Sequence, residues 1–126
     1  MNASEAVEVY PMKKGRASKP AVPEDLRPDE YAATYAFGLG QNHPNPANPS
    51  TTIRYTLSEA SEVQLAIYNV LGQPVRVLVN AFKVAGVHRV RWDGRDAYGR
   101  EVTSGVYLYL LEAGQNVAVR KIVVVR

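Results

Sequence analysis

Thr51-Thr52-Ile53-Arg54-Tyr55-Thr56-Leu57 and, beginning six residues further on, Val63-Gln64-Leu65-Ala66-Ile67-Tyr68-Asn69 are two runs in which apolar and polar side chains alternate. In the first, Ile53, Tyr55 and Leu57 fall on one side and Thr52, Arg54 and Thr56 on the other. In the second, Val63, Leu65 and Ile67 oppose Gln64, Ala66 and Tyr68. A period of two belongs to an extended chain with one buried face. Both runs are therefore predicted to be half-buried strands.

The same period recurs downstream. Val75–Val79 sets three valines against Arg76 and Leu78, and Val87–Asp93 sets His88, Val90 and Trp92 against Arg89 and Arg91. Gly105–Glu112 and Val117–Val125 are longer runs of the same kind, and Tyr35–Leu39 supplies a first strand. Turn signals separate them: Leu71-Gly72-Gln73-Pro74, Ala85-Gly86, Asp93-Gly94, Tyr98-Gly99 and Ala113-Gly114-Gln115-Asn116. Glycine permits positive φ, and proline is confined to edges and strand starts. Seven short strands at spacings of roughly 8–12 residues predict an all-β fold, a seven-stranded antiparallel Ig-like β-sandwich. A barrel of the same strands is the second arrangement considered.

Residues 1–34 differ in character. Pro11, Pro20, Pro23 and Pro28 recur, and Val7, Val9, Val22 and Leu26 are the large aliphatic residues there. So little apolar area does not offset the entropy of ordering, so this region is expected to be an extended, largely irregular linker. One helical turn is expected at 29–33, behind Pro28. The domain proper is expected over 35–126.

Composition narrows the chemistry. Apolar residues make up 46% of the 126 and charged residues 21%, enough for a packed core. Cysteine is absent, which excludes a disulfide scaffold, a thiolate metal site and thiol catalysis. His43 and His88 are the two histidines. No apolar run approaches the ~18 residues of a membrane-spanning helix. Net charge is +3; residues 37–126 hold ten basic and six acidic side chains. Eight of those ten are arginines spread along the sequence, which reads as a solvated surface with a modest positive excess and no nucleic-acid partner. Met1–Lys14 lacks the apolar segment of a signal peptide. The chain is expected to be either intracellular or a piece of a longer one.

Candidate chemistry is sparse. Asp93 and Asp96 place hard oxygens at short spacing, the weak calcium alternative, although the EF-hand pattern is not matched. Their other reading is as acceptors of backbone N–H groups in consecutive turns. Ser58, Ser61 or Ser104 with His88 lacks a nucleophile elbow, and neither Gly-rich phosphate loop occurs. No enzyme and no cofactor are expected. Among the aromatics, Tyr55, Tyr107 and Tyr109 share faces with core residues, whereas Tyr68 and Tyr98 are the two candidates for ligand contact.

Gln41-Asn42-His43-Pro44-Asn45-Pro46-Ala47-Asn48-Pro49-Ser50-Thr51-Thr52-Ile53-Arg54-Tyr55 resembles the opening motif of the C-terminal sorting domains of type IX secretion cargo, found in exported proteins of Bacteroidetes. Ile67-Tyr68-Asn69-Val70-Leu71-Gly72-Gln73, Ala85-Gly86-Val87-His88, Trp92-Asp93-Gly94-Arg95-Asp96, Ser104-Gly105-Val106-Tyr107 and Arg120-Lys121-Ile122-Val123 follow in order. The family usually carries aromatics where this chain has His43 and Ala47. The pattern is also similar to the Ig-like domain of flagellar hook-capping proteins.

The resemblance implies a non-catalytic address domain at the end of a larger exported protein, with 1–34 as the junction to an upstream cargo domain, such as a polysaccharide hydrolase or protease. It implies partners in the outer-membrane translocon and its accessory and sortase proteins, and a destination in the medium or on the cell surface, reached through the periplasm. Gly105, Tyr107, Arg120, Lys121 and Ile122 would carry recognition. A terminal strand lying at a sheet edge would offer its backbone to a partner strand, with Arg120 and Lys121 as polar anchors. The alternative is a carbohydrate-binding or structural accessory module of a secreted enzyme.

Overall fold

The alternating runs become the faces of two sheets. The computed structural model describes residues 35–126, which form β1 (Gly38–Leu39), β2 (Thr51–Leu57), β3 (Ser61–Asn69), β4 (Pro74–Lys83), β5 (Gly86–Trp92), β6 (Gly105–Ala113) and β7 (Asn116–Val124). The expectations for 1–34, the linker, the turn at 29–33 and the cargo junction, lie outside the described residues.

One sheet runs β1-β2-β5 and the other β4-β3-β6-β7, every neighbouring pair antiparallel. This is the sandwich rather than the barrel. Ile53, Tyr55, Leu57 and Trp92 from the first sheet meet Leu65, Ile67, Tyr109, Leu111, Ile122 and Val124 from the second, all buried. The Trp92 ring meets Tyr107 edge-on at 5.9 Å and its indole N–H donates to the Arg95 carbonyl at 2.9 Å, so a large apolar body is buried with its polar tip satisfied.

Two strands depart from the sequence reading. The first is a two-residue β1 rather than Tyr35–Leu39. The fourth runs past Val79 to Lys83 and does not set Val75, Val77 and Val79 on one face. Register shifts fall between Leu65 and Ala66 and between Ile67 and Tyr68, leaving Leu78 and Val75 as extra residues opposite β3. Bulges reverse the alternation locally. Val75, Leu78 and Val79 pack on the core while Val77 turns outward.

Turn chemistry follows from single residues. Asn69 Oδ1 accepts from the backbone of Leu71 at 2.9 Å and of Gln73 at 3.0 Å, and Gly72 takes φ 83°. That Asx-type turn returns the chain at Pro74, the first residue of an edge strand, where no ladder N–H is needed.

Candidate recognition surface

The Gln41–Ser50 segment works as a strap across the open side of the sandwich. Asn42 is buried: its amide donates to the Pro44 carbonyl and to Thr51 Oγ1, both at 3.0 Å, and its backbone N–H donates to the Tyr109 hydroxyl at 3.0 Å. Tyr109 in turn donates to the Gly40 carbonyl at 2.6 Å. Burial pushes the Tyr109 phenol up to about 12, against the opposing pull of the Asn42 N–H and the Arg120 charge. Burial also raises Tyr55. Ala47 is fully buried and forms a parallel bridge with Val124, its N–H on the Val123 carbonyl and its carbonyl on the Val125 N–H, both at 2.8 Å. Ala47 belongs to the hydrophobic core cluster, whereas His43 is exposed.

This strap corrects the expectation of an open terminal edge. β7 pairs with β6 on one side, and on the other Gln41 Nε2 donates to the Lys121 carbonyl at 3.1 Å while Ala47 bridges Val123 and Val125. The half of β7 that carries Ile122 is thus bonded on both edges. Ile122 is fully buried, and Tyr107 is buried with its hydroxyl donating to the Thr103 carbonyl at 2.8 Å. Arg120 is exposed, but its Nε donates to the Leu39 carbonyl, so its guanidinium is engaged in tying β7 to β1. Gly105 takes φ 156° at the start of β6. Of the five expected recognition residues, Lys121 is the one whose side chain is free at the surface. Outward backbone positions alternate along β7, which leaves those of Val117 and Val119 unpaired among the described residues.

Lys121 belongs to the outer face of the four-stranded sheet. The register sets Tyr68, Leu108 and Lys121 in one row across β3, β6 and β7. The neighbouring row is Val77, Ala66, Leu110 and Val119, with Ala66 only 2% exposed although it faces away from the core. An outer face of an antiparallel sandwich is ordinarily polar; this one is apolar through its middle. The alternation of β3 sets Ala66 and Tyr68 outward, but the cross-strand rows need the pairing register.

The Asp93–Ser104 loop uses its carboxylates internally. Asp93 Oδ1 accepts from the Arg95 N–H at 3.0 Å and from Arg76 at 3.2 Å. Asp96 Oδ1 accepts from the N–H groups of Arg100 and Tyr98, each at 2.9 Å, and Oδ2 pairs with Arg100 at 3.1 Å. These N–H groups, Arg100 foremost, hold the Asp96 carboxyl below its usual range despite some desolvation. Among the described residues no three His, Cys, Asp or Glu side chains come together as a metal site. Both aspartates therefore spend a carboxylate oxygen on the backbone N–H groups of their own turns. Arg126 ties the loop down, donating to the carbonyls of Val102 and Gly94, with its backbone N–H on Ser104 Oγ at 3.0 Å.

Tyr98, 82% exposed, lies on this loop with the Arg100 guanidinium 5.0 Å from its ring centre. It lines an open groove of about 1040 Å³ with Asn69, Arg76, Thr103 and Val106. Tyr68, the other candidate for ligand contact, is not part of that lining and lies on the outer face of the four-stranded sheet.

The arginines are not dispersed as sequence spacing suggests. Arg54 on β2 lies directly opposite Arg89 on β5, and Arg91 opposite Thr52. All three are exposed on the outer face of the three-stranded sheet. A separation of some 35 residues in sequence hides this cluster until the β2–β5 pairing is known.

Two antiparallel sheets around one core, with a capping strap, define an Ig-like β-sandwich module. The chain matches the FlgD Ig-like domain over residues 46–116, 71 of its 126 residues, and belongs to that family. Among solved structures it is similar to dimeric latent PorU from Porphyromonas gingivalis, with a TM-score of 0.56 and 22% identity over 74% of this chain and 10% of PorU. It is also similar to FlgD from Xanthomonas campestris, a protein of flagellar hook capping, with a TM-score of 0.50 and 22% identity over 71% of this chain and 66% of that one. These likenesses are of fold. The chain spans about a tenth of the PorU chain it matches. No curated protein matches it.

Proposed function

We propose that this module is a non-catalytic sorting domain, read by an outer-membrane secretion translocon and its accessory proteins and delivering an attached exported domain to the cell surface or medium. The observation that supports it is the ordered series of sorting-domain motifs. The first, Gln41–Tyr55, coincides with the strap and β2, so the residues of the resemblance are those that close β7. A signal read after export needs a fold that forms without cofactor or disulfide and presents a fixed surface. The strap fixes β7, and the surface it leaves for a reader is the outer face around Lys121, Val119 and Val117 rather than the edge of the last residues.

The test is a fusion of the 126-residue chain behind a fluorescent protein bearing a signal peptide, expressed in a host with type IX secretion. Fluorescence on the surface or in the medium is the expected result, and periplasmic retention overturns the reading. The second reading, a structural accessory module, is favoured by membership of the FlgD Ig-like family. It predicts that the fusion leaves the reporter's destination unchanged.

A further inference from the structure

The outer face of the three-stranded sheet is a segregated cationic surface. β2 and β5 place Arg54, Arg89 and Arg91 on it, with Thr52 and Thr56 on either side of Arg54 along β2 and Val87 opposite Thr56. His43 extends the row of Arg91 and Thr52 through its bridge to Thr52. β1, β2 and β5 contain no Asp or Glu. Acids of the described region instead occupy the Asp93–Glu101 loop, where each meets an arginine, or Glu59, Glu62 and Glu112, outside these three strands. Among the described residues Arg54, Arg89 and Arg91 have no carboxylate partner; Arg91 donates to Ser50 Oγ at 2.6 Å.

The pairing makes this arrangement costly. The Arg54 carbonyl accepts from the Gly40 N–H, on the β1 side, so towards β5 the Arg54–Arg89 pair is of the non-hydrogen-bonded kind. That kind brings side chains closest, with Cα atoms about 4.5 Å apart. Like charges set directly opposite destabilise a sheet. Arg91 stands two residues along from Arg89, roughly 7 Å away on the same face. Three guanidiniums at such spacing match a chain carrying repeated negative charge better than a single anion.

We propose that this face binds an acidic polysaccharide, its carboxylate or sulfate groups on Arg54, Arg89 and Arg91 and its hydroxyls on Thr52 and Thr56. Among the described strands the His43 imidazole is the one ring this face carries, too little to stack successive bases, and no helix stands beside it to enter a groove of duplex DNA. Hydroxyls interleaved with cations suit a hydroxyl-rich polyanion. The choice of a glycan rests in part on the extracellular destination proposed above, but its test does not use export.

The full chain is titrated with polygalacturonate, heparin, neutral dextran and a random-sequence DNA duplex at several salt concentrations. Two charge-matched variants are compared, Arg54→Gln/Arg89→Gln and Lys13→Gln/Lys83→Gln. Binding to an acidic glycan that weakens with salt, falls at least tenfold in the arginine variant and changes less than threefold in the lysine variant is the expected result. The arginine variant relieves a repulsion, so its thermal midpoint is expected to hold or rise. No binding at low salt, equal losses in both variants, or tighter binding to DNA than to either acidic glycan overturns the proposal. Reporter retention in the fusion test alone leaves the glycan titration standing as a separate result.

Discussion

At the scale of single residues, the buried polar joint of Asn42, Tyr109 and Gly40 is where the sandwich is most exposed to one substitution. Tyr109→Phe keeps the ring but leaves the Asn42 N–H without its acceptor and the Gly40 carbonyl without its donor. An unmade buried hydrogen bond costs about 1–3 kcal/mol, so a denaturant midpoint should fall accordingly. The pH dependence has a definite sign. The folded Tyr109 pKa, about 12, stands above the ordinary 10.0, so the folded state holds its proton longer than the unfolded chain. Stability from this group is complete below pH 10 and is lost as pH rises towards 12. Denaturant midpoints from pH 9 to 12 should decline in the wild type and decline less steeply in Tyr109→Phe; Tyr55, raised in the same direction, remains. That Tyr109 points inward was legible from its alternation with Tyr107 and Leu111. That its hydroxyl serves the strap was not, because its partners lie 67 and 69 residues away. Gly94 is a second such point. It holds φ 79°, and a Cβ there would approach the Pro49 Cβ to 2.7 Å. Gly94→Ala combines left-handed strain of roughly 1–2 kcal/mol with that clash, and should lower the thermal midpoint by several degrees.

At the scale of elements, β7 and the strap depend on each other. Removing Ile122–Arg126 takes away Ile122 and Val124, both essentially fully buried, together with the backbone partners of Ala47 and the Arg126 tether on the Gly94 and Val102 carbonyls. Burial of two such side chains is worth about 3–6 kcal/mol before the lost hydrogen bonds are added. A domain of this size has only ~5–15 kcal/mol in hand. The truncated chain should therefore lose its cooperative thermal transition by circular dichroism, and loss of export on truncation would not identify a signal. All seven strands were legible, β2, β3, β5, β6 and β7 close to their full length because each keeps its period of two, and β1 as the last two residues of the expected Tyr35–Leu39. β4 was legible only over half its length, because bulges at Val75 and Leu78 break that period. The double-sided bonding of β7 was illegible for a different reason. The strap that bonds it, rich in proline and asparagine, carries no periodic signal of its own.

At the scale of the whole molecule, the sandwich separates what must be packed from what can be read. Ile122, Tyr107 and Arg120 are spent on the interior or on closing the strap, so their substitution tests folding. Lys121 and Val119 stand on the outer face of the four-stranded sheet, Val119 57% exposed in a row with Leu110, Ala66 and Val77. An apolar centre with a cation beside it is a surface that a partner could desolvate. Surface changes away from the core usually stay within ±0.5 kcal/mol. Val119→Asp/Lys121→Glu, two such changes and so at most about 1 kcal/mol, should therefore shift the thermal midpoint by no more than about 4–8 °C, while the fluorescent fusion carrying it is retained in the periplasm. Ile122→Ala, a cavity in the core, should lower the midpoint and export together, at a cost of roughly 2–5 kcal/mol. The two variants side by side separate reading from folding: a Val119→Asp/Lys121→Glu fusion exported at the wild-type level would move the recognition surface off this sheet, whatever Ile122→Ala does.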